Sequence, residues 1–339
     1  MSKGKKRMKS PTLSPKAGDK GRAQITGRAL AKMIRPQALR PGDTVGIVAP
    51  ASNVDEKALR QGTKNLQHLG YEPVFLNSIL ERDIFFAGSA ERRAAELEAM
   101  FDNDDLRAVL CARGGYGSNH VLPLLDIKKF QKKPKVFVGY SDITSLLTWF
   151  VDNGMVAFHG PMVTKDFART GGWDEDVWEA VMEGQGCVME FGPDSAVEAL
   201  ATGEAKGILY GGCLSILVAS LGTPYEIQTD GKLLFIEDIG AKPYQVDRML
   251  MQLKLAGKLR RVRGMVFGEM LDCVQPGGQD YTLKEVILRV LDGLDIPIVF
   301  GFPSGHVRGG NVVLPFGVPA ALEVSRRRIR FSMEAATIA

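Results

Sequence analysis

A chain of 339 residues, 45% hydrophobic and 24% charged, is long enough for two domains and ordinary in composition for a globular protein. It has no apolar run near 18 residues, no apolar leader, and four scattered cysteines (111, 187, 213 and 273) without a C-x-x-C pair. These features exclude a transmembrane helix, favour a reducing cytoplasm, and give no support to a disulfide framework or a structural zinc site. The formal charge of +4 is uneven: residues 1–40 hold twelve Lys/Arg and one Asp, and the remainder is mildly acidic. The stretch 1–38 is predicted to be a basic, disordered tail, with no specific nucleic-acid role because no recognition motif accompanies the charge.

Folding is expected from Leu39. A turn at 40–43 leads into a strand over 44–49 that Pro50 ends. Apolar residues at helical spacing predict a helix over 55–69, closed by Gly70 as its C-cap. A strand at 73–76, a helix at 90–101 and a strand at 108–111 follow. The last runs into Arg113-Gly114-Gly115-Tyr116-Gly117 and a helix to residue 125. Val136, Phe137 and Val138 form a fourth strand, which turns at 139–142 into a helix with apolar positions Ile143, Leu146, Leu147 and Phe150. Alternation of this kind predicts an α/β fold over 39–165: a parallel sheet covered on both faces, with ligands beyond the carboxyl ends of its strands. A helix at 173–182 stands in an otherwise Gly-, Glu- and Asp-rich region, so 166–205 reads as a linker. Over 206–339, strands at 207–210, 233–236, 264–267, 298–300, 311–314 and 320–324 and helices at 214–221, 244–256 and 283–292 predict a second, mixed and β-rich domain. No internal repeat is present.

A strand, a tight turn centred on serine, then a helix is the geometry of a nucleophile elbow, with Ser141 at its apex. The G-x-S-x-G spelling is broken by Ile143, and Ser-Asp before an apolar helix is also the pattern of an N-cap. Both readings stand on these residues. The RGGYG loop lacks the G-x-G-x-x-G spacing, and no phosphate-binding P-loop occurs, so no nucleotide cofactor is expected. Its glycines admit close approach of a substrate. The N–H of Gly115 or Gly114, with that of Asp142, could form an oxyanion hole. Of the four histidines, His159, close to the elbow in sequence, and His306, in a Gly-rich loop after a strand, are rival candidates for the base. Glu237 and Asp238 end an apolar strand, where a carboxylate can orient an imidazole. No cluster has metal-ligand spacing, and neither a metal nor another cofactor is expected.

The segments GDTVGIVAPAS (42–52), ARGGYGS (112–118), GYSDITSL (139–146), HGPM (159–162), GGCLSIL (211–217), FIEDIGAKPYQVDRML (235–250) and GFPSGH (301–306) together resemble the LD-carboxypeptidase family of serine peptidases. That family includes muramoyltetrapeptide carboxypeptidases and microcin C immunity hydrolases. The resemblance runs in family order across residues 40–325. It implies a Ser-Glu-His triad with Ser141 as nucleophile, Glu237 as orienter and His306 as base, leaving His159 as a pocket residue. It further implies a site between the two domains of a cytoplasmic, metal-free enzyme, often a homodimer, that releases the C-terminal D-alanine of a small murein peptide. One alternative keeps the triad but acts on aminoacyl or peptidyl nucleotide conjugates. Another is a non-catalytic ligand-binding protein on the same fold. Arg113 and Arg308 flank the expected site and are candidates, on charge alone, for binding a terminal carboxylate. Gly114, Tyr116 and His159 complete the expected substrate contacts. Cys213 stands where the family usually has asparagine.

Overall fold

Buried apolar residues dominate the central strands, and the architecture follows from covering them. The structure, a computed structural model, describes residues 33–338 apart from 276, 278 and 279. Most of the basic stretch therefore lies outside the described residues. Its last part does not behave as tail. The N–H of Ile34 donates to Gly154 O at 2.8 Å and that of Ala38 to Ile338 O at 2.7 Å, so the fold is already engaged before Leu39.

The chain begins with β1 (Thr44–Val48), α1 (Glu56–His68), β2 (Glu72–Val74), α2 (Ala90–Asp102) and β3 (Leu106–Cys111). It continues through α3 (Ser118–Val121), α4 (Ile127–Lys132), β4 (Val136–Gly139), α5 (Thr144–Asp152) and β5 (Ala157–His159). The helices start where the sequence supplies caps. Asp55 accepts from Ala58 N–H and Ser89 from Arg92 N–H. The helix expected to reach residue 125 is shorter, because Pro123 lies in a 3-10 turn that replaces its second half. Then come α6 (Glu175–Met182), β6 (Cys187–Phe191), β7 (Glu198–Ala201), β8 (Gly203–Cys213) and α7 (Leu214–Ala219). The chain finishes with β9 (Lys232–Glu237), α8 (Pro243–Leu255), β10 (Gly264–Gly268), α9 (Leu283–Leu291), β11 (Ile298–Phe302), β12 (Leu314–Phe316), β13 (Pro319–Val324) and β14 (Ile329–Met333).

Two sheets result, one per domain. The first has the order β12-β5-β4-β3-β1-β2, parallel except for β12. Val45, Ile47, Ala108, Leu110, Val136 and Val138 are fully buried in it, as expected of a parallel sheet covered on both faces. The second is mixed, in the order β6-β14-β13-β8-β9-β10-β11-β7, with β8 through β11 parallel.

The region expected to be a linker, 166–205, is not one. Besides α6 it contributes β6, which pairs with β14, and β7, which pairs with β11. The strand expected at 311–314 is displaced to Leu314–Phe316 and joins the first sheet, not the second, pairing antiparallel with β5. The two sheets are also tied where α5 meets β8. Thr144 Oγ1 accepts the Cys213 N–H at 3.0 Å, and Asp152 accepts from Tyr210 Oη at 2.7 Å and Lys232 Nζ at 3.0 Å.

Candidate active site

The carboxyl end of β4 makes the sharpest turn in the first sheet. Ser141 has φ +63°, a left-handed conformation that costs a non-glycine residue free energy and marks an elbow. The missing second glycine is compensated four residues earlier. A Cβ on Gly139 would lie 2.9 Å from Ile143 Cγ2, so the space a glycine would leave at 143 is provided at 139 instead. Ser141–Ile143 form a 3-10 turn before α5, and no side chain caps either segment. The capping role for Ser141 is thereby excluded. Its hydroxyl has no hydrogen-bond partner among the described residues. Asp142, by contrast, is buried under the turn. Its Oδ2 accepts Ser118 N–H at 2.8 Å, and Ser118 Oγ returns a bond to Asp142 O at 2.7 Å. Burial raises the Asp142 carboxyl, against these hydrogen bonds.

The RGGYG loop lies against the elbow. A Cβ on Gly114 would sit 2.9 Å from Ser141 Cβ and 3.1 Å from both Ser141 Oγ and Asp142 N. Gly115 has φ +99°, and a Cβ there would come within 2.4 Å of Ser52 Oγ. The same Ser52 hydroxyl accepts the Tyr116 N–H at 3.0 Å, which pins the loop. Among the described residues, the Gly114 and Gly115 N–H groups have no acceptor. They are free to meet an oxyanion beside Ser141.

The second sheet brings the other half. Glu237, at the end of β9, is buried and accepts from His306 twice, from the backbone N–H at 3.0 Å and at Nδ1 at 2.6 Å. Burial alone would raise the Glu237 carboxyl. The charge of His306, its Nδ1 hydrogen bond and the His159 imidazole 3.9 Å from Oε1 outweigh burial and hold it well below the usual range. Burial pulls His306 down, but Glu237 overcomes this and raises it above its ordinary value. The ring of His306 packs edge-on against Tyr140, the residue before Ser141, at 5.0 Å between centroids. Asp238, the other candidate orienter, is occupied elsewhere: it accepts from Ser215 N–H at 2.9 Å and Ile239 N–H at 2.8 Å.

His159 is fully buried on β5, with Nδ1 3.2 Å from Ser304 Oγ and Nε2 facing Glu237 Oε1 at 3.9 Å. Burial lowers its pKa. Both nitrogens are shut off from solvent, whereas the His306 side chain is 15% exposed. Arg113 is half-buried, donating to Asn53 O at 3.3 Å, and its Nε lacks a partner. Arg308 is largely exposed and paired with Asp272 at 2.8 Å, so its charge is spent on the surface. Tyr116 is exposed, with its ring against Phe85, Phe86 and His120. Cys213 pairs in register with Glu237 across β8 and β9; its thiol is buried and raised well above its usual value.

Sequence reasoning missed the clasp on the His306 loop. Arg169 donates to the carbonyls of Val307, Arg308 and Gly309 at 3.3, 3.1 and 2.8 Å. Asn311 Oδ1 accepts the Gly305 N–H at 2.9 Å. No local pattern announces contacts between residues so distant in the chain.

Residues 45–160 match the family profile described as the LD-carboxypeptidase N-terminal domain, and residues 206–322 match the LD-carboxypeptidase C-terminal domain. A probable murein peptide carboxypeptidase of Bacillus subtilis is 38% identical over 86% of this chain and 92% of its own length. The solved muramoyltetrapeptide carboxypeptidase of Oxalobacter formigenes superposes with a TM-score of 0.79 at 29% identity, covering 87% of this chain and 99% of that one. The microcin C7 self-immunity protein MccF, solved with aspartyl sulfamoyl adenosine, shares the fold with a TM-score of 0.82 at 23% identity, covering 90% of this chain and 100% of its own.

Proposed function

The chain belongs to the LD-carboxypeptidase family, and from that premise we propose that it releases the C-terminal D-alanine of murein tetrapeptides by a serine mechanism. The observation that carries the reading is the 2.6 Å contact between Glu237 and His306, set beside the strained turn of Ser141. His306 takes the Ser141 proton as the hydroxyl oxygen attacks the carbonyl of the L,D bond. The oxyanion meets the Gly115 and Asp142 N–H groups. Collapse breaks the C–N bond, and D-alanine leaves with the proton from His306. Water, deprotonated by the same imidazole, then frees the peptide from Ser141. Glu237 holds the ring and balances its charge. Arg113, with one N–H unpartnered, receives the terminal carboxylate of the substrate. The enzyme acts in the cytoplasm as a homodimer; the four buried free cysteines suit a reducing compartment, and light scattering of the purified chain tests the assembly.

The test is hydrolysis of a muramyl tetrapeptide, with D-alanine followed by mass, for wild type beside Ser141→Ala, Glu237→Ala and His306→Ala. Release by wild type alone supports the reaction and the triad. If wild type releases nothing but cleaves an aminoacyl sulfamoyl adenylate, the triad stands and the substrate is a nucleotide conjugate. If neither is cleaved and Ser141 resists a fluorophosphonate, the serine mechanism fails.

A further inference from the structure

The loop that carries His306 is held from a side the triad does not use. Asp166 is 2% exposed, in the turn that follows β5. Its Oδ2 accepts the Met162 N–H at 2.9 Å, and Arg169 Nη2 stands 3.8 Å from Oδ1. Tyr140 and Asn311 lie close enough to the same carboxylate to favour its charged form, although neither makes a formed hydrogen bond to it. From these neighbours, contacts reach both halves of the site. Tyr140 precedes Ser141 and packs on His306. Asn311 anchors Gly305 through Oδ1, and its Nδ2 is buried without a well-formed hydrogen bond. Arg169 anchors residues 307 to 309. The backbone on either side of His306 is thus fixed by partners of one buried acid.

We propose that Asp166 is a positioning residue for the reaction: its carboxylate, acting through Arg169, Asn311 and Tyr140, sets the His306 loop against the nucleophile turn. The proposal rests on the serine-hydrolase reading given above. A neutral Asp166 would leave the Arg169 charge without its counter-ion and slacken the clasp. Burial raises Asp166 to about 6, with the Met162 N–H, Arg169, Asn311 and Tyr140 opposing. Across the site, the charged group that faces it is His306. Two protons therefore disable the site in acid, one on His306 and one on Asp166. The fall of kcat should steepen toward second order in proton concentration.

The experiment compares the pH profiles of kcat and KM for wild type and Asp166→Asn. The variant should lose about 10²-fold in kcat above pH 8, as expected for a slightly misplaced base. Its KM should change little, and its acid limb should relax to first order. Wild-type kcat in the variant, or a lowered kcat with the steep limb kept, overturns the proposal. If Asp166→Asn does not fold, Arg169→Ala, which alters a partly exposed side chain, must show the same loss of kcat at unchanged KM; full activity there overturns it. If wild type does not cleave the tetrapeptide, that reading of the substrate fails separately. The comparison then uses the rate at which a fluorophosphonate labels Ser141, where slower labelling of Asp166→Asn supports the proposal and an equal rate overturns it.

Discussion

Glu237 is bonded to His306 through one oxygen and faces His159 at 3.9 Å with the other, and the consequences are measurable in pH. The proposed base must be neutral, so kcat/KM should fall as pH drops through the raised pKa of His306, above its ordinary 6.5. Glu237→Gln removes the charge that lifts it. The acid limb should then move to lower pH while the plateau drops by roughly 10²–10⁴-fold, read from kcat/KM against pH. Stability has its own window. The contribution of His306, whose pKa is raised, is full below 6.5 and is lost as pH rises through the raised value. That of Glu237, whose pKa is depressed, is full above 4.5 and is lost as pH falls through the depressed value. Glu237→Gln should therefore lower Tm most between pH 4.5 and 6.5, and less at pH 8, by thermal melts across that range. At Gly115 the proposed reagent is the backbone N–H itself. Gly115→Ala, with a Cβ 2.4 Å from Ser52 Oγ, should displace the N–H and cost about 10²-fold in kcat, with KM nearly kept. The cysteines should be silent: all four are buried with raised thiol pKa values, so iodoacetamide at pH 8 should leave native protein unmodified by mass while alkylating the urea-unfolded chain.

At the scale of elements, the seam between α5 and β8 helps set how far Ser141 stands from Glu237 and His306. Gly212 has φ +133°, and a Cβ there would lie 2.5 Å from Thr144 Oγ1. Gly212→Ala should destabilise the protein by about 1–3 kcal/mol, seen as a lower urea midpoint, and should reduce kcat because Thr144 opens α5. Much at this scale was legible. The strand ending at Gly139, the turn at Ser141 and the apolar strand ending in Glu237 follow from short apolar runs and turn residues. Other elements were not. β6 (CVMEF) and β7 (EALA) are short and partly exposed, and their partners β14 and β11 lie far along the chain. β12 carries Pro315, which is tolerated only because the strand is an edge. Asp166 and Arg169 gain their meaning from a loop more than a hundred residues away, which no spacing rule reaches.

The whole molecule is less divisible than its two sheets suggest. β12, from the far end of the chain, closes the β5 edge of the first sheet, and β6 and β7 wait for partners in β14 and β11. A fragment ending at residue 205 should therefore lack cooperative melting by circular dichroism, whereas the full chain melts in a single transition. The position of β12 also bears on time. During synthesis Ser141, its turn and its helix emerge first, on a sheet whose last edge is still unmade, while His306, the proposed base, is still being translated. At about 5–20 residues per second, the interval between the two is of order ten seconds. Under the proposed mechanism, a chain still on the ribosome would hold its serine without its base for that interval, a delay set by the chain positions of Ser141 and His306.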